Sequence, residues 1–336
     1  MLITSMIKFL LTLRTLNDRP GLLAFLSVAT IIISLCLAFN PVWQTNDDAV
    51  MSMIAHGYGL AAYGSPNLVF SNVLWGYVVR AIPSINGVLG YSLATLATLL
   101  LFGWATMYFL LRLGVQYFLS LLTIALLLAL PTLYPQFTVN AGLLTVAAIV
   151  GWQVYARWNE VGILIISCLL AFFGFLIRYE EFLLVLGVAL PLLPWRTLQK
   201  QRTMQIVFLL LSVAITSAAV FDRWSYSGPE WQNFKELNTV RIPFTDYGVG
   251  ENPDKYSQLL EGHNYTPNDI SLISKWFFVD THLADAKSLN ALLSALSAFP
   301  VQDKNIQLGF VAIKELFHIY LLPLVLSALL LFLLMP

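Results

Sequence analysis

The chain has 336 residues, of which 58% are hydrophobic and only 11% charged, against about a quarter charged in an average soluble domain. With mean hydropathy at +0.76, this is the composition of an integral membrane protein. Eighteen basic and eighteen acidic side chains cancel, and no basic run occurs outside short membrane-flanking clusters, so the electrostatic footprint of a nucleic-acid binder is excluded.

Residues 1–20 set Lys8, Arg14 and Arg19 among Ile, Phe and Leu, a pattern suited to an amphipathic helix on the cytoplasmic surface. Residues 21–39 can cross a hydrocarbon core of about 30 Å at about 1.5 Å per residue, and the stretch is too long for the apolar part of a signal peptide. Asp47 and Asp48 follow directly. Ionised carboxylates at a membrane boundary are costly to bury and easy to hydrate, so the pair is expected to face water. Residues 49–60 read as a short interfacial helix, ended by Gly57, Gly59, Gly64 and Pro66.

Residues 67–82 fall short of spanning length, and charge decides their place. If they form a second juxtamembrane helix, spans follow at 86–111, 115–134, 137–156, 159–177, 181–195 and 204–222. Lys8, Arg14, Arg19, Arg112, Arg157, Arg196, Lys200 and Arg202 then all lie on the cytoplasmic side, as the positive-inside rule requires. The acidic pair then lies outside the cytoplasm, together with Arg178, Glu180 and Glu181, which interrupt two apolar spans in a tight hairpin. Charges so placed are expected to face a cavity, which Tyr134, Gln136 and Asn140 could also line.

From residue 223 to about 310 the composition becomes that of an extracytoplasmic soluble segment, too small and too broken by turns to read as an independent domain, and expected to cover the cavity. Within it, Thr266-Pro267-Asn268-Asp269 reads as a helix start, with Thr266 as cap and Asp269 near the positive end of the dipole. Residues 318–335 form a last span ending at Pro336 without a polar flank, as expected of a chain that continues into further spans. The sequence thus divides into a transmembrane core at 1–222, the soluble segment at 223–310 and a C-terminal helix at 311–336. Its expected fold is all-α, with about eight transmembrane helices. Cys36 and Cys168 lie inside apolar segments and are expected to be small core residues rather than a disulfide.

Paired carboxylates serve as general bases, metal ligands or ion relays. No nucleotide pool exists outside the cytoplasm, so a transferase there must draw on a lipid carrier. One carboxylate would take the proton of an acceptor hydroxyl, and Arg or Lys donors would receive the departing lipid phosphate. Asp47 is the first choice for the base, with Asp48 setting its pKa or helping to hold a metal. Arg178 and Arg241 are the guanidinium groups best placed for the phosphate.

Asn46-Asp47-Asp48 opens one juxtamembrane helix after a long first span, and Pro66-Asn67-Leu68-Val69-Phe70-Ser71-Asn72 opens a second. Over roughly residues 20–222 this architecture resembles the GT-C superfamily of integral membrane glycosyltransferases, and the segments around Arg178 and Arg241 look similar to those of bacterial polysaccharide-type members. The resemblance implies an inverting transfer from a polyprenyl-phosphate sugar to a glycan, lipid or protein acceptor. It implies catalysis by Asp47 and Asp48 on the outer face of a bacterial plasma membrane. It also implies substrate contacts from Asn72, Arg178, Glu180, Glu181 and Arg241. The acidic pair here departs from the Asp-Glu of the aminoarabinose and mannosyl branches, which leaves donor and acceptor open.

His56 stands about two helical turns beyond Asp48 and could join the pair in holding a divalent cation, although a plain interfacial histidine is the simpler reading. Trp43, Trp75, Trp195 and Trp224 read as membrane-interface anchors, and the sequon at Asn264 is expected to stay unmodified because Pro267 follows it. Two other functions fit the acidic pair: a secondary transporter using it as a cation or proton site, and a non-catalytic subunit of polysaccharide assembly.

Overall fold

The structure, a computed structural model, describes residues 19–249, 252–278, 280, 281, 283 and 285–296, with Lys314, Leu322 and Leu326. The expected helix at 1–20, except its last two residues, and the expected span at 318–335, except Leu322 and Leu326, lie outside the described residues. Regular structure among the described residues is helical, apart from an isolated bridge between Ile85 and Val88. The chain forms two compact units, divided between Arg223 and Trp224.

Among the described residues, the first unit is a bundle of ten helices: α1 (Pro20–Ala38), α2 (Asn46–His56), α3 (Val73–Ala81), α4 (Gly90–Arg112), α5 (Tyr117–Leu133), α6 (Phe137–Trp158), α7 (Val161–Ile177), α8 (Tyr179–Val188), α9 (Trp195–Lys200) and α10 (Arg202–Ser225). Four of these, α1, α4, α6 and α10, are long and apolar enough to cross a membrane, and α5 and α7 are shorter apolar helices. These helices identify an all-α membrane protein.

Two expected spans are corrected. The span drawn from residue 86 begins at Gly90, because Asn86 and Gly87 take positive φ angles of 51° and 82° and close a two-residue hairpin between Ile85 and Val88. Asn-Gly is the pair such a turn favours. The span drawn at 181–195 is split. α8 has only ten residues, and Leu190–Leu192 follows as a short 3-10 turn. Pro191 lacks an amide proton, and Pro194 stands just beyond at the cap of α9, and the two together break the helix there.

α4 lies centrally, against α1, α5 and α6, while α6 and α7 pack along their whole length. Glycines permit this closeness: a Cβ on Gly151 would fall 2.0 Å from Ser167 Oγ, and one on Gly174 2.6 Å from Thr145 Oγ1. Such small-residue contacts replace the hydrophobic drive that lipid cannot supply between helices.

The ends of the bundle differ in charge. At one end Trp104 Nε1 donates to Gly21 O at 2.9 Å, Arg112 pairs with Glu160, and Arg112 and Arg157 both lie over the Trp158 ring. At the other, Val42 N–H donates to Leu133 O and Asn72 N–H to Leu176 O, each at 2.9 Å. That end gathers Asp47, Asp48, Arg178, Glu180, Glu181 and Asp222.

The second unit contains α11 (Pro229–Thr245), a 3-10 turn at Pro253–Tyr256, α12 (Ser257–Gly262), α13 (Pro267–Ser274) and α14 (Ala286–Leu296). It has its own core, including Phe244, Leu260, Tyr265, Ile270, Ile273 and Leu289. α13 starts as the sequence predicts. Thr266 Oγ1 accepts from Asp269 N–H at 3.2 Å while Asp269 Oδ2 accepts from Thr266 N–H at 2.8 Å, a reciprocal cap at the helix start.

Candidate functional site at the acidic end of the bundle

The two aspartates, expected alike to face water, have different surroundings. Asp47, on the first turn of α2, is partly exposed, whereas Asp48 is fully buried. A carboxylate survives burial only with donors around it, and Asp48 has several. Tyr91 OH donates to Oδ1 at 2.9 Å and Thr45 Oγ1 to Oδ2 at 3.0 Å. The Phe137 N–H, the first of α6, reaches Oδ1 at 3.2 Å. Asp48 therefore caps a helix 89 residues further along the chain, where the positive end of the α6 dipole favours a negative group. Trp43 lies edge-on to Tyr91, with ring centroids 5.3 Å apart, and helps to close this pocket.

Burial pushes the Asp48 carboxyl up to about 6, against the hydrogen bonds from Tyr91, Thr45 and Phe137 that lower it, and the charge of Asp47 adds to the rise. The folded state therefore holds this proton more tightly than the unfolded chain, whose carboxyl titrates near 3.8. Linkage gives the sign: this group favours folding most below about pH 4, and the benefit is lost as pH rises through about 6. Asp48→Asn has no such titration. Wild type is accordingly expected to gain thermal stability relative to Asp48→Asn between pH 7 and pH 4 in detergent micelles. A constant difference across that range would contradict the assignment.

His56, at the other end of α2, accepts the Tyr91 N–H on Nε2 at 3.0 Å. Burial lowers its pKa, and Arg80 lowers it further, so the neutral ring is favoured. That nitrogen serves the start of α4 rather than a metal. Among the described residues no group of three or more His, Cys, Asp or Glu side chains is placed to hold an ion.

Arg178 stands between the two halves of the predicted hairpin, as the cap of α8. Its guanidinium carbon lies 5.3 Å from the centre of the Phe137 ring and 5.7 Å from that of Phe70, a cation beside a pair of neighbouring rings whose centres are 6.1 Å apart. Nε also pairs with Glu180 at 3.2 Å. Phe137 thus touches both charged centres, with its N–H on Asp48 and its ring under Arg178. Phe70 is delivered by a tight turn in which its N–H bonds to Leu68 O at 2.8 Å and Val69 takes φ 68°. A β-branched residue at positive φ is strained, and strain of this kind accumulates where a side chain must be aimed.

Asn72 caps α3, accepting from Leu74 N–H at 3.0 Å and donating to Ala218 O at 3.2 Å. The residue that sequence reasoning missed is Asp222, whose Oδ1 accepts the Val73 N–H at 2.7 Å. A lone carboxylate ending an apolar segment carries the same signal as Asp47. Glu180 is exposed and Glu181 partly buried. The structure thus brings Asp47, Asp48, Asn72, Arg178, Glu180 and Glu181 to one end of one unit. Arg241 belongs to the second unit, where it is 7% exposed and its guanidinium lies 3.9 Å from the centre of the Trp276 ring.

No family model, no curated protein and no solved structure matches this chain. The site itself carries the functional argument.

Proposed function

We propose that the protein is a GT-C-type glycosyltransferase moving a sugar from a polyprenyl-phosphate donor to a glycan, lipid or protein acceptor. The observation that carries this reading is one partly exposed carboxylate, Asp47, beside a buried one, Asp48, at the same end of the bundle as a guanidinium lying close to two aromatic rings. Asp47 takes the proton of the acceptor hydroxyl as that oxygen attacks the anomeric carbon. The bond from the anomeric carbon to the phosphate oxygen breaks, its electron pair leaves with the lipid phosphate, and configuration inverts. Arg178 offers the departing phosphate a positive charge, with Glu180 and Glu181 at the rim for sugar hydroxyls.

Asp48 acts in this scheme as a positioning residue, fixing the first turn of α2 to α4 and α6. Its oxygens are engaged by Tyr91, Thr45 and Phe137. Arg112, Arg157, Arg196, Lys200 and Arg202 would mark the cytoplasmic end, with the acidic end on the outer face of a bacterial plasma membrane.

The test uses membranes containing the full chain and a radiolabelled polyprenyl-phosphate hexose. Asp47→Asn is expected to lower transfer about 10²–10⁴-fold, the usual worth of a general base. Undiminished transfer in that variant would overturn the reading.

A further inference from the structure

The second unit contains a cavity of about 400 Å³ between the end of α11, the loop that follows it, and α13. That is within the roughly 300–1,000 Å³ of small-ligand sites. One wall is apolar: Val249 and Pro253 line it and are partly exposed, while Phe244 and Ile270 close it off from the core side and are almost fully buried. The other wall carries Thr245, Asp246, Asn252, Ser271 and Ser274.

The polar wall has a definite polarity. Thr245 Oγ1 donates to Arg241 O at 3.2 Å, Ser271 Oγ to Pro267 O at 3.1 Å, and Ser274 Oγ to Ser271 O at 2.9 Å. With their protons committed to helix carbonyls, these hydroxyls have lone pairs to offer a ligand, as does the Asp246 carboxylate. Asn252 can donate or accept. Among the described residues no Lys or Arg lines the cavity, so none of them compensates the desolvation of a phosphate or carboxylate.

A ligand for this cavity therefore needs several hydrogen-bond donors, no negative charge, and one apolar face. Sugar rings meet all three conditions: their hydroxyls donate, and their axial C–H groups form a flat apolar surface. The capping box of α13 fixes the helix that carries Ser271 and Ser274 before any ligand arrives, which limits the ordering cost of binding. We infer that this cavity is a binding site for a neutral saccharide, with the C–H face on the Val249 and Pro253 wall and the hydroxyls on Asp246, Ser271 and Ser274. If the bundle transfers sugar, the saccharide held here is the acceptor glycan. That last step rests on the transfer reading, whereas the binding does not.

The experiment applies the full chain, purified in a detergent without a sugar headgroup, to an array of neutral oligosaccharides, then titrates the best-retained glycan. Wild type is expected to retain at least one glycan, Asp246→Ala to bind it at least tenfold more weakly, and Ser271→Trp, which fills the cavity, to lose it. Asp246 is exposed, so its replacement is expected to leave the fold intact even if the larger substitution does not. Retention of no glycan, or equal retention by wild type and Asp246→Ala, overturns the assignment. Asp47→Asn is expected to bind as wild type does. Glycan binding combined with undiminished transfer in Asp47→Asn would overturn the transferase reading alone, and transfer without glycan binding would overturn the saccharide site alone.

Discussion

Replacing Asp48 by leucine is expected to cost about 2–5 kcal/mol and to lower the thermal midpoint of the purified protein sharply. Leucine is bulkier than aspartate, so overpacking at this buried site adds to the loss. The larger source is the donors left behind. Tyr91 OH and Phe137 N–H would both be buried without an acceptor, at about 1–3 kcal/mol each. Asp48→Asn is expected to be much milder. The asparagine oxygen can accept from Tyr91 and Phe137, and the Thr45 hydroxyl, now 3.0 Å away as a donor, can rotate to accept from the new amide. The same comparison separates structure from chemistry: if Asp47 is the base, Asp48→Asn keeps most of its transfer activity and Asp47→Asn does not. A leucine variant that melts with wild type would show that the three hydrogen bonds contribute little.

Gly76→Ala is expected to be among the most damaging single-methyl additions in the bundle. A Cβ there would sit 1.8 Å from the Pro66 carbonyl oxygen and 2.6 Å from its carbon. Both are backbone atoms, so no rotamer change can relieve the contact, and α3 must lift away from the turn that precedes it. Overpacking usually costs 1–3 kcal/mol, and a rigid backbone contact belongs at or beyond about 3 kcal/mol. Gly162→Ala is the control, because its Cβ meets nothing within 4 Å and alanine favours helix over glycine by about 1 kcal/mol. The pair can be ranked by scanning fluorimetry together with the yield of monodisperse protein. Equal midpoints for Gly76→Ala and wild type would mean that the Pro66 turn shifts freely.

Local features of the sequence proved readable. A short helix follows the first span, Asn72 opens another, and Thr266 and Asp269 cap α13, because each depends on residues within a few positions. Asp48 shows where local reading ends. It was expected to face water, and only Tyr91 and Phe137, 43 and 89 residues away, explain how it can be buried instead. The split after α8 could have been read from Pro191 and Pro194, yet the apolar count around them outweighed the missing amide protons. Val69 was illegible for another reason: a β-branched residue at positive φ runs against its own preference, so no local rule would place a tight turn there. Asp222 ends an apolar segment much as Asp47 follows one, so its polar setting is readable locally, but its partner Val73, 149 residues away, is not.

The hydrogen bond from Val73 N–H to Asp222 also has a consequence in time. The partners are 149 residues apart, and a chain synthesised at about 5–20 residues per second would make the acceptor on the order of ten seconds after the donor. During that interval the start of α3 has an amide that only water can satisfy. The layer that bears Asp47 therefore reaches its final form only after α10 has been made.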